Sequence, residues 1–269
     1  MQSTDGVKRV EAVDPSLVSE TLEELAADLE IADLLHDATL ILEFLRDSIV
    51  IKVADGELPA SVVGSISPRM KLHGETLGQG REYETPARDF WIWKILHLLV
   101  LTGLVSRRND SFWITPEGRA RLDDGQPGAL FADLFIALFR ESRLKRFDRF
   151  DVNETLLWCS LPACFYLLGR HAADWRSAGQ LAHDTWPRAM RMGDGPLPAW
   201  ADVGYRLPPF MYFMRVLRPL TAFGLLEWRD TRRGSRLDIE YRVTSLFRLF
   251  LHFDEPTPPP SHVVKHSTS

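Results

Sequence analysis

Six arginines offer the most coherent chemistry in this sequence. Arg215 and Arg218 stand three residues apart, on one face of any helix that holds them. Arg229, Arg232, Arg233 and Arg236 follow within a stretch that contains a single anion, Asp230. Guanidinium groups at that density suit phosphate oxygens, which they grip through paired N–H bonds, so this set is the candidate nucleic-acid contact. Other chemistries lack their spacing. His171 and His183, with Asp174 and Asp184 nearby, are twelve residues apart and match neither HExxH nor another metal-ligand pattern; they read as surface or capping residues. Gly74, Gly78 and Gly80 neither end in Gly-Lys-Ser/Thr nor follow a convincing strand, which argues against a phosphate loop. Cys159 and Cys164 lie five apart among Trp158, Leu161 and Phe165, a setting that raises a thiol's pKa and blunts its reactivity. No GxSxG elbow is present. No catalytic residue, metal or cofactor is therefore expected. An enzyme would need a cleft between the two halves of the chain, with Arg88, Asp89 and His97 as the nearest titratable candidates.

Charge is unevenly placed along the 269 residues, whose formal net charge is −5. Residues 11–47 hold eleven carboxylates and one cation, Arg46, so this stretch carries −10 and the remainder about +5. Positive charge peaks twice, at Arg140–Arg149 with five cations against two anions and at Arg229–Arg236 with four against one. The plainer reading of both runs is a solvated face. The first ten residues are polar and lack the apolar core of a secretory signal, and the apolar run 156–168 is too short to span a membrane. A cytoplasmic protein is expected.

Helical periodicity dominates. Asp14-Pro15 starts a helix through Leu17, Val18, Leu22 and Leu25, and Ile31, Leu34, Leu35, Ala38, Leu42 and Leu45 mark a second, the two forming an acidic hairpin. Residues 51–81 read as loop with a short helix near 59–65. Phe90 to Leu99 form an apolar helix closed by Gly103, and 104–114 read as two short strands around Asn109-Asp110. Thr115-Pro116 then restarts a helix. Core helices are expected at 130–139 and 153–168, with a shorter one capped by Ser177. Residues 191–209 form a loop.

Leu217 to Leu226 repeats the pattern of Leu96 to Val105, with Gly224 in the place of Gly103. Strands at 225–229 and 237–243 flank Thr231 to Ser235, and Thr244-Ser245 caps a last helix. A helix, a Gly-Leu step, a hairpin and a capped helix form the closing half of a winged-helix fold. The fold class expected is mainly α with small β-hairpins: two winged-helix-like units joined by a helical middle. The domain organisation is a flexible terminus at 1–13, the acidic hairpin and first unit at 14–125, a helical segment and second unit at 126–253, and a disordered tail at 254–269.

The segment Trp93 to Leu122, with Leu98-Leu-Val-Leu-Thr-Gly103-Leu-Val and Ile114-Thr-Pro-Glu-Gly118-Arg-Ala-Arg-Leu, resembles an uncharacterised bacterial family associated with plasmid ORF-3-like, transposon-passenger proteins. Leu217 to Leu226 fits the same pattern, whereas Ile51 to Pro59 lacks the family's Leu-Thr-x-x-Gly-Asn form. The resemblance extends over most of residues 30–253. It implies a bacterial protein linked to mobile elements and carries no catalytic residues with it.

Two functions follow as expectations. The first is a non-enzymatic winged-helix regulator or mobile-element accessory protein that contacts DNA through the second unit, using Arg215, Arg218, Arg229, Arg232, Arg233 and Arg236. The alternative is a module for protein interaction or self-association without DNA binding. The helix before the first hairpin carries Lys94 and His97 as nearly its only polar groups, where a DNA reader needs polar and basic side chains, and so favours the alternative. The basic stretch Arg229–Arg236 favours the first.

Overall fold

The computed structural model describes residues 29–48, 51–52, 58–72, 90–141, 154–192, 212–231 and 239–253. The expected first helix and the tail from 254 lie outside them, as does the loop expected at 191–209 except for residues 191 and 192, which end a helix. In chain order the described elements are α1 (Asp33–Ser48), β1 (Ile51–Lys52), α2 (Ala60–Ile66), α3 (Phe90–Leu101), β2 (Val105–Arg108), β3 (Ser111–Ile114), α4 (Pro116–Asp123) and α5 (Pro127–Ile136). They continue with α6 (Glu154–His171), β4 (Arg176–Ser177), α7 (Ala178–Met192), α8 (Arg218–Ala222), β5 (Leu226–Arg229), β6 (Glu240–Val243) and α9 (Ser245–Phe250). The described residues are mostly helical, with small antiparallel hairpins.

The two halves repeat one plan. α1–β1–α2–α3–β2–β3 is followed, after α5, by α6–β4–α7–α8–β5–β6, and each half builds a three-stranded antiparallel sheet in which the last strand is central: β1–β3–β2 and β4–β6–β5. The hairpins and their capping helices stand where the sequence places them. Asn109 and Asp110 take φ of 46° and 57°, the left-handed pair of a two-residue turn that side chains of this kind tolerate. Strands β1 and β4 were not expected; each is only two residues long, too short to show alternation, and exists by pairing with β3 or β6. Within the stretch read as loop, residues 51–52 thus form a strand, and the short helix expected near 59–65 stands as α2.

One lock closes each hairpin. Gly103 and Gly224 sit at the ends of the preceding helices with φ of 76° and 67°, which glycine adopts without a Cβ penalty. Twelve residues on, the Thr115 hydroxyl lies 2.9 Å from the Gly103 carbonyl and 3.0 Å from that of Leu104, and accepts from the Gly118 N–H at 3.0 Å. In the second half Thr244 repeats this, 2.7 Å from the Gly224 carbonyl and 3.2 Å from that of Leu225, accepting from the Phe247 N–H at 3.3 Å. One hydroxyl thus serves as N-cap of the following helix and as tie to the end of the preceding one. Ser177 caps α7 through a reciprocal box: its hydroxyl accepts from the Gln180 N–H, and the Gln180 side-chain oxygen accepts from the Ser177 N–H, both at 3.2 Å.

Proline shapes two core helices. Pro219 enters α8 without an N–H to offer the Arg215 carbonyl, and the turn ahead of it, Phe213–Leu217, widens to the π form. Pro162 lies inside α6, which nevertheless continues, packed along α7.

The halves share one core. Phe131 and Phe135 of α5 meet Phe223 and Phe250 edge to face, with centroids 4.8–5.3 Å apart, a geometry that aligns ring edges with π faces. Phe139 and Phe165 extend the cluster. The first half is pinned to its own irregular segment by Asp37. This fully buried carboxylate accepts from the backbone N–H groups of Lys71 and Leu72 at 2.8 and 2.9 Å and lies 3.0 Å from His36 Nδ1.

Replacing Asp37 with alanine leaves two N–H groups without their carboxylate, each worth about 1–3 kcal/mol when buried and unmet. Urea unfolding is expected to show a loss of roughly 2–4 kcal/mol, and Asp37→Asn should also be impaired, because its amide oxygen can accept from one of the two N–H groups while its NH2 opposes the other. The paired glycines should part company. Gly103→Ala costs about 1–2 kcal/mol for the left-handed backbone alone, since a Cβ there meets no atom within 4 Å. Gly224→Ala should lose a further 1–3 kcal/mol, roughly the cost of overpacking, because its Cβ would stand 2.8 Å from the Ile31 carbonyl oxygen.

Candidate functional site

The six arginines do not form one surface. Arg215 and Arg218 are 2% and 7% exposed, within the helical stretch that precedes β5, so the phosphate contact expected of them is corrected: they stand inside the protein. The physical reason is the partner that the first half supplies. Arg218 lies over the Trp91 ring of α3, 5.1 Å from its centroid, and Lys94 lies over the same ring at 4.9 Å. A tryptophan face attracts cations through its quadrupole, and here it draws one from each half. Arg232, Arg233 and Arg236 lie outside the described residues. Arg229 alone of the set is both described and solvent-facing.

Around Arg229 the outer face of the second sheet is built by strand alternation. Glu227-Trp-Arg229 in β5 and Glu240-Tyr-Arg242 in β6 run antiparallel, with Glu227 opposite Arg242 and Arg229 opposite Glu240. The same Glu-x-Arg order on two opposed strands therefore places each carboxylate across from a guanidinium. Arg229 Nε lies 2.6 Å from Glu240 Oε2, and Arg242 Nε 2.7 Å from Glu227 Oε1. Trp175, next to β4, takes both guanidiniums against its ring, Arg229 at 4.5 Å and Arg242 at 4.8 Å. The hydrogen bond that Arg242 donates to Glu227, aided by the charges of Glu227 and Asp174, raises the Arg242 pKa above its ordinary value. The sequence reading missed Trp175, Glu227, Glu240 and Arg242; the repeated Glu-x-Arg was the available signal.

This face can offer planar cations and an aromatic edge, but each described arginine on it already holds a carboxylate, so an incoming anion must displace a neighbour. No family model, curated protein or solved structure matches this chain. The reading of the face therefore rests on its own geometry.

The remaining candidates are dispersed. His183 Nδ1 is 3.1 Å from its neighbour Asp184, with the histidine side chain 80% exposed, and among the described residues no three His, Cys, Asp or Glu side chains gather as a metal would need. His97 is half-buried on α3. Gly74, Gly78, Gly80, Arg88 and Asp89 fall outside the described residues, as does the basic run beyond Glu141. Cys164 is fully buried beside two hydroxyls: its Sγ is 4.0 Å from Thr185 Oγ1 and 3.9 Å from the Tyr212 hydroxyl, and those two oxygens are 2.7 Å apart. Burial pushes the Cys164 thiol up to about 12 against the weaker opposing pull of the Tyr212 and Thr185 hydrogen bonds. The same burial drives Tyr212 well above the usual tyrosine range, and raises Tyr241 despite the nearby Arg218 charge.

These shifts fix an alkaline limit. All three groups ionise less readily in the folded chain than in the unfolded one; the stabilising effect of Cys164 is complete below the unfolded thiol value and is lost as pH rises from about 9 toward 12, and that of the tyrosines begins to be lost above about 10. Stability measured by urea midpoint should fall by about 1.4 kcal/mol per pH unit for each fully resisting group, and Cys164→Ala should show a shallower decline than wild type. In a Cys159→Ser background, the Cys164 thiol should react with a disulfide reagent at pH 8 only after denaturant is added; rapid reaction of the native protein would contradict its burial.

Proposed function

We propose that this chain is a non-enzymatic winged-helix protein of two fused units that acts in the cytoplasm by binding a protein partner or a second copy of itself. The twofold α–β–α–α–β–β order, with the last strand central in each sheet, supports the winged-helix assignment. One observation carries the functional reading. The helix that precedes each hairpin, which a DNA-reading relative would lay in the major groove, faces inward here: Trp91, Ile92, Ile95, Leu96, Leu98 and Leu99 of α3 are buried, and so are Arg215 and Arg218 in the second half. These two helices therefore offer base edges no polar face. What stays open is the outer faces of the two hairpins, and these carry mixed charge with aromatic groups, a composition that suits protein contacts. Cys164 is buried and held protonated, so this thiol is not placed to act as a nucleophile. Among the described residues no helix is long and apolar enough to cross a membrane.

A second reading has its own observation. Arg229, Arg232, Arg233 and Arg236 are four cations against the one anion Asp230, and a hairpin so charged can grip phosphates without reading bases. A mobile-element accessory role, implied by the ORF-3-like resemblance, would join this reading.

Fluorescence polarisation with two duplexes of unrelated sequence, across a salt series and with Arg232→Ala/Arg233→Ala alongside wild type, separates the readings. The protein-interaction reading expects no binding even at about 50 mM salt, together with a self-associated mass or a captured protein partner in sedimentation. Binding that is equal for both duplexes, weakens with salt and has a shallower slope in the double variant would replace it with phosphate contact at the second hairpin. Discrimination between the duplexes by 100-fold or more, roughly the ratio that one or two good base contacts supply, would overturn the inward-facing helices as the basis of either.

A further inference from the structure

We draw no further inference here: the strongest candidate, the cleft of about 460 Å³ between α1 and the turn at 69–71, is rimmed by Glu30, Glu43, Arg69 and Lys71, charges of both signs that favour no one class of ligand, and nothing in the structure shows what covers it.

Discussion

The architecture depends on a hydroxyl that does two things at once. Thr115 and Thr244 each begin a helix and, with the same oxygen, hold the glycine-terminated helix on the far side of a hairpin. A helix end leaves N–H and C=O groups unpaired, and here the donors of one end and the acceptors of another are met by a single side chain. The backbone reinforces it, for the N–H groups of Thr115 and Thr244 donate to the Leu104 and Leu225 carbonyls at 3.0 and 3.1 Å. The strands between glycine and threonine are thereby held in register from their base, and the third strand of each sheet has a fixed edge to join.

With both hairpins anchored, the helices that precede them are free to serve the interior. α3 is apolar over most of its surface, and such a helix must be covered on more than one side. α1 covers part of it, and the second half brings up Arg218 against Trp91. The cost of placing arginine there is offset in part by the aromatic face, whose attraction for a cation strengthens as water is removed. The same arrangement places Ile31 against Gly224, so a glycine required by the local turn also admits the first half of the chain to the second.

Legibility in the sequence followed the range of the interactions. Helix ends, the Asn109-Asp110 turn and both threonine caps arise from residues within a few positions of one another, and their signals are local. Strands β1 and β4 arise from partners more than fifty residues away, and two residues cannot announce a period. The burial of Arg215 and Arg218 was equally hidden. A spacing of three tells which residues share a helix face, but whether that face meets water depends on Trp91, distant in the chain. Glu227 and Arg242 show the intermediate case: the Glu-x-Arg repeat was visible, and only the hairpin register turned it into two ion pairs.

The two locks enclose unequal lengths of chain, twelve positions from Gly103 to Thr115 and twenty from Gly224 to Thr244. Lengthening a closed loop by that ratio costs only about 0.5 kcal/mol of chain entropy, and neither lock uses a residue from the tip. Each hairpin is thus a port at which sequence can be gained or lost without disturbing the scaffold. The first is the shorter and the second the longer and richer in arginine, so the two copies of one plan differ at their tips while sharing a common core.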